Sequence, residues 1–155
     1  MVAYYERRPS YLGEAKMETL HDQLLAAIDN DDVKKASQII ADGIDLNVPC
    51  AELEGAPVLF FAILRGNYSM VKLMLEHGAN PNYWADEPVA TIYTAKPLDL
   101  ARQARLLMDW DRYHAIVELL EKFGATDENG NVDSSELLDK TKVEAKNWQS
   151  QKQKT

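Results

Sequence analysis

One short pattern recurs three times along the 155 residues. A recurring unit constrains a fold strongly, because each copy has to bury its apolar face against its neighbours. LLAAIDNDDVKKASQIIADGIDLN begins at Leu24, LFFAILRGNYSMVKLMLEHGANPN begins at Leu59, and LDLARQ…DRYHAIVELLEKFGAT runs from Leu98 to Thr126. In each copy a leucine is followed three places later by alanine (Leu24 and Ala27, Leu59 and Ala62, Leu98 and Ala101), then by an apolar stretch closed by Gly43, Gly78 or Gly124. This predicts two helices per copy, with the small alanine allowing close helix approach. The second helix should end at a glycine in the left-handed conformation that a Cβ would strain. After the first two glycines come IDLN and ANPN, turn-forming strings expected to lead into loops that project outward as fingers.

The second copy, with Leu59, Ala62 and Gly66 followed by MVKLMLEHGANPN, closely resembles an ankyrin repeat. That unit has two antiparallel helices and a hairpin finger, with a period near 33 residues. The third copy keeps KPLDLA, similar to the family's TPLHLA turn, and ends in VELLEKFGA. The first is degenerate, with Asp31 where the family usually has glycine, as suits an end repeat. The resemblance spans about Leu20 to Thr126, consists of scaffold motifs and carries no catalytic residue. It implies an all-α fold, an ankyrin-like helix-turn-helix repeat solenoid with N- and C-terminal capping segments.

The closing glycines lie 35 and then 46 positions apart, so the third copy contains extra chain. Part falls in the finger NYWADEPVATIYTAK, Asn82 to Lys96, and part within QARLLMDWDRYH, where Ala101 to Gly124 spans 23 positions against 16 for Ala62 to Gly78. Insertions in repeat stacks usually form loops, often on the binding face. Residues 1–17, with Tyr4, Tyr5, Tyr11, Arg7 and Arg8, are expected to cover the open end of the first repeat, and residues 18–127 to form the repeat domain. Residues 128–155 should supply a capping helix opened by Asp133 and Glu136. Its apolar face would be Leu137, Leu138, Ala145 and Trp148, ahead of a loose tail QSQKQKT.

Charge narrows the functions. The chain carries −8 overall, and residues 18–127 alone carry −9. A body of that sign repels phosphate backbones and anionic headgroups, so neither nucleic acid nor membrane is expected as a partner. No apolar run approaches the length of a bilayer span, and MVAYYERRPSYLGEAKME has no apolar signal core, which points to a cytoplasmic address. Cys50 is the single cysteine, so no internal disulfide supports the fold. Glu52 and Glu54 fall in the first finger and Asp86 and Glu87 in the second, tips that stacking aligns along one edge. Tyr83, Trp84 and Tyr93 accompany them, and Trp110 sits between Asp109 and Asp111 in the inserted stretch. Exposed aromatics in a polar surround resemble interface anchors, and these ten residues form the candidate partner-binding set. The competing arrangement folds the long finger back and buries Trp84 and Tyr93.

Chemistry-bearing motifs are sparse. ATDENGNVDSSE, from Ala125 to Glu136, places Asp127, Asn129, Gly130, Asp133 and Glu136 at calcium-loop positions, but Ala125 stands where the first carboxylate belongs. His21, His77 and His114 are isolated in sequence; His77 fits a helix end, and Cys50 has no base near it in sequence. No phosphate cradle or nucleophile elbow occurs, and neither cofactor nor metal is expected. The expectation is a non-catalytic protein-binding module, monomeric when free, recognising a protein with a basic surface. Small acidic proteins of this kind resemble the immunity or inhibitor proteins of bacterial toxin systems, some of them ankyrin-like. An adaptor recruiting a host protein, a calcium-responsive protein and a hydrolase built from dispersed residues are the other readings.

Overall fold

The computed structural model describes residues 19–50, 53, 55–83, 96–127, 129–132 and 135–153. Among these residues it contains seven helices and no strand. They are α1 (Leu20–Asp29), α2 (Val33–Ala41), α3 (Val58–Leu64), α4 (Tyr68–Glu76), α5 (Pro97–Leu107), α6 (Trp110–Lys122) and α7 (Ser135–Gln153). Three hairpins result, α1 with α2, α3 with α4 and α5 with α6. The first helices α1, α3 and α5 lie side by side, as do the second helices α2, α4 and α6, and α7 packs on α5 and α6. The chain is thus an all-α stack of ankyrin-like helical repeats. The expected N-terminal cap lies outside the described residues.

Local sequence explains the boundaries. Each second helix starts on a short polar side chain that accepts a free amide of the first turn: Asp32 from Lys35 N, Asn67 from Met70 N and Asp109 from Arg112 N. Helix α1 opens with a reciprocal capping box, the Thr19 hydroxyl accepting from Asp22 N and the Asp22 carboxylate accepting from Thr19 N. Pro97 opens α5, where a missing amide hydrogen costs nothing. Each second helix stops just before its glycine, and Gly43, Gly78 and Gly124 have φ of 93°, 99° and 93°.

The repeated leucines meet in one core: Leu24, Leu59 and Leu98 are at most 1% exposed. Ala27, Ala62 and Ala101 are buried beside them, the close approach their spacing predicts. Burying one leucine side chain contributes about 1.5–3 kcal/mol, so three aligned rows of apolar residues supply a large share of the stabilisation in a chain whose single cysteine allows no internal disulfide. Tyr113 joins this core and donates its hydroxyl to Leu64 O at 2.9 Å; burial pushes the phenol above its ordinary pKa and keeps it a neutral donor.

The extra chain between Ala101 and Gly124 does not form the expected loop. Helix α5 has 11 residues against 7 in α3, and α6 has 13 against 9 in α4, so the insertion adds about one turn to each helix. The reason lies in the side chains: Ala104, Trp110 and Tyr113 continue the buried faces, and Asp109 caps the new start. Trp110, expected in solvent, is 1% exposed.

Helix α7 also departs from expectation. It continues to Gln153 through most of the stretch expected to be loose. Ala145 is its buried contact, whereas Trp148, assigned by spacing to the packed face, is 44% exposed. Gln149 makes the anchor instead: its Nε2 donates to Arg105 O at 2.9 Å and Leu106 O at 3.1 Å, and its Oε1 accepts from Trp110 N at 3.4 Å. One amide thereby caps the end of α5 and the start of α6 together.

Candidate protein-binding surface

The edge that carries the fingers is tied together repeat by repeat. Asn47 donates to Gly78 O at 3.0 Å and accepts from Asn80 N at 2.7 Å. Asn82 repeats this one unit later, donating to Gly124 O at 2.8 Å and accepting from Thr126 N at 2.9 Å. Each asparagine saturates the amide and carbonyl that a glycine cap leaves unpaired in the next repeat, fixing the spacing between finger bases. Sequence reasoning did not assign these residues, although the signal was present: an asparagine stands four positions after Gly43 and after Gly78.

At the last finger, Lys96 Nζ donates to Thr126 Oγ1 at 2.9 Å and Asp127 O at 3.3 Å, holding the returning chain against the end of α6. Asp127 accepts from Asn129 N and Asn131 N on Oδ1 and from Arg102 on Oδ2 at 3.0 Å. The Asn131 amide, aided by that of Asn129 and by Arg102, holds its carboxyl below the usual aspartate range. The calcium reading needs those oxygens for a cation, and the fold spends them on the loop itself. Asp133 and the Glu136 side chain lie outside the described residues. Among the described residues no group of three His, Cys, Asp or Glu converges on a metal position.

The ten residues of the candidate set separate. Glu52, Glu54, Trp84, Asp86, Glu87 and Tyr93 lie outside the described residues. Tyr83 is half-buried and meets Phe60 edge-on, ring centroids 6.3 Å apart at 82°, so its ring packs back on the core. Asp109, Trp110 and Asp111 are at the α5–α6 tip, the far end of the helices from the fingers. Asp109 is a helix cap, and Asp111 pairs with Lys146 of α7 at 3.2 Å. Trp110 is no surface anchor: the Arg105 guanidinium lies over its ring at 4.4 Å and His114 stacks on it at 5.7 Å. Apolar surface at this tip belongs to other side chains, Leu107 at 47% and Met108 at 57% exposure.

The histidines are engaged by backbone and neighbouring side chains. His77 ends α4, its Nδ1 donating to Leu73 O at 2.8 Å. His21 Nε2 donates to Asp45 O at 3.0 Å. His114 Nδ1 accepts from Arg105 at 3.1 Å, which leaves Nε2 as the donor toward Glu118 at 3.5 Å. Cys50 is buried, its Sγ 3.8 Å from Val48 O.

With hairpins, glycine caps and finger-base ladder in place, the architecture is that of a stack of ankyrin-like helical repeats. A family model for the ankyrin repeat matches residues 54–86, the unit containing α3 and α4, and supports reading the chain as an ankyrin-repeat protein. Among curated proteins nothing matches the chain. No helix of the described residues is long and apolar enough to cross a membrane.

Proposed function

We propose that this chain is a non-catalytic protein-binding module that presents a row of acidic fingers to a partner with a basic surface, in the manner of an inhibitor or immunity protein. Ankyrin repeats serve as protein-interaction units, and the match over residues 54–86 supports that role. The observation that carries the proposal is the ladder of Asn47 and Asn82, which joins the finger bases across successive repeats. Finger bases held at a set spacing lower the entropy cost of docking, and the −9 charge of residues 18–127 steers a cationic partner toward them. Trp110 takes no part, being buried. The binding set reduces to Glu52, Glu54, Trp84, Asp86, Glu87 and Tyr93, with Tyr83 at the base of the second finger.

The test compares the natural chain with a variant carrying Glu52→Lys, Glu54→Lys, Asp86→Lys and Glu87→Lys as baits, then measures association rates for any protein the natural chain retains. The expected result is a fall in on-rate of at least tenfold at low salt, with an unchanged melting temperature. An equal on-rate for both baits overturns the acidic-finger reading.

A second reading places the contact at the opposite edge, on the α5–α6 tip, where Leu107 and Met108 expose apolar surface. Loss of binding in Leu107→Lys with Met108→Lys, and its retention in the four-lysine variant, would favour the tip.

A further inference from the structure

The two ends of the stack differ. At one end α7 covers α5 and α6. At the other, α1 and α2 border a groove of about 310 Å³ lined by Gln23, Ala26, Ala27, Asn30, Asp32 and Lys35. The groove faces away from the stack: Asp29, on the other flank of α1, reaches Arg65 of the second hairpin at 3.2 Å. Terminal repeats need a cover of their own, because an end hairpin has no neighbour on its outer side.

We propose that the segment before Thr19 occupies this groove, with Tyr4, Tyr5 and Tyr11 on its alanine floor and Arg7 and Arg8 toward the aspartates of the first hairpin. Three features of the chain select this occupant over a second copy or another protein. The segment joins α1 directly at Thr19, so eighteen residues are tethered beside the groove, and a short tether gives a high effective concentration. Its tyrosines combine an apolar ring with a hydroxyl, which suits a floor of alanine bordered by amide and carboxylate groups. Charge agrees as well: residues 19–50 hold six aspartates against two lysines, which favours an arginine pair and disfavours a second copy of the same acidic hairpin.

The test needs no binding partner, so its outcome is independent of the acidic-finger reading. The full chain with Lys35→Cys is labelled with a benzophenone maleimide; Cys50 is buried and out of reach of the reagent. Equal amounts of ¹⁴N and ¹⁵N protein are mixed, irradiated and mapped by mass spectrometry. Cross-links from position 35 to residues 1–18 within one isotope are expected, falling at least fivefold when Tyr4→Ser, Tyr5→Ser and Tyr11→Ser are combined. Asn30→Cys, on the helix-turn rim, repeats the measurement should the first variant not fold. Mixed-isotope cross-links would assign the groove to a second copy, and cross-links confined to residues beyond 18, or none, would overturn the proposal.

Discussion

Asn67 holds two repeats together at their turns: its Oδ1 accepts from Met70 N to cap α4, and its Nδ2 donates to Asp31 Oδ1 of the preceding hairpin at 2.6 Å. Asp31 has φ of 56°, the place where the second hairpin has Gly66 at 65°. The aspartate therefore accepts a left-handed backbone and gains a bond to the next repeat. Asp31→Gly removes a strain of about 1 kcal/mol and a hydrogen bond of similar worth, so its stability should match the natural chain within about 0.5 kcal/mol. Asp31→Ala keeps the strain and loses the bond, and should cost about 1 kcal/mol relative to the natural chain and to the glycine variant. Urea unfolding of the three proteins checks the order; an alanine variant as stable as the glycine variant would contradict it.

Gly66 is constrained twice. A Cβ there would lie 2.7 Å from Arg112 Cδ and 3.0 Å from the Tyr113 hydroxyl, whereas one on Gly43 would meet nothing within 4 Å. Arg112 can swing aside, but Tyr113 cannot move without giving up Leu64 O. Gly66→Ala should lower stability by about 3 kcal/mol and Gly43→Ala by about 1 kcal/mol, the second figure being the backbone term alone. Thermal unfolding of both variants measures the difference.

Gln149 binds three backbone groups of the extended hairpin. Gln149→Ala should cost about 2 kcal/mol and raise hydrogen exchange in α7 and the first turn of α6, with α1 to α4 unaffected. Trp148→Ala, at the adjacent exposed position, should cost about 0.5 kcal/mol or less. Equal effects would mean that α7 is held by the indole instead.

Asp127 has a depressed carboxyl pKa, so its contribution to stability is present above the usual aspartate range and is lost as pH falls through the depressed value. The stability gap between the natural chain and Asp127→Ala should be constant near neutrality and close on the acid side. Melting temperatures of both proteins between pH 7 and pH 2 report this, and a gap that widens toward acid would show the sign to be wrong. High salt should change the gap little, because two of the bonds come from backbone amides.

Much of the fold was legible in local pattern. Leucine and alanine recur three places apart and a glycine closes each copy, each determined by a nearby requirement: a buried face every three to four residues, a close helix approach, a left-handed cap. Hence the three hairpins and the helix-end role of His77 follow from sequence alone. The candidate surface was legible only in part. Insertion length in the third copy was readable, but whether it became loop or helix depended on α7, more than thirty residues away, giving Trp110, Arg105 and Leu106 backbone partners through Gln149. That decision buried Trp110 and parted it from the fingers. The ladder of Asn47 and Asn82 was similarly hidden, since its partners lie 31 to 44 residues away. Short-range periodicity thus determined that the chain forms three helical hairpins and how their helices pair. Tertiary packing decided which polar and aromatic side chains meet solvent, because burial is set by whichever distant surface arrives to cover them.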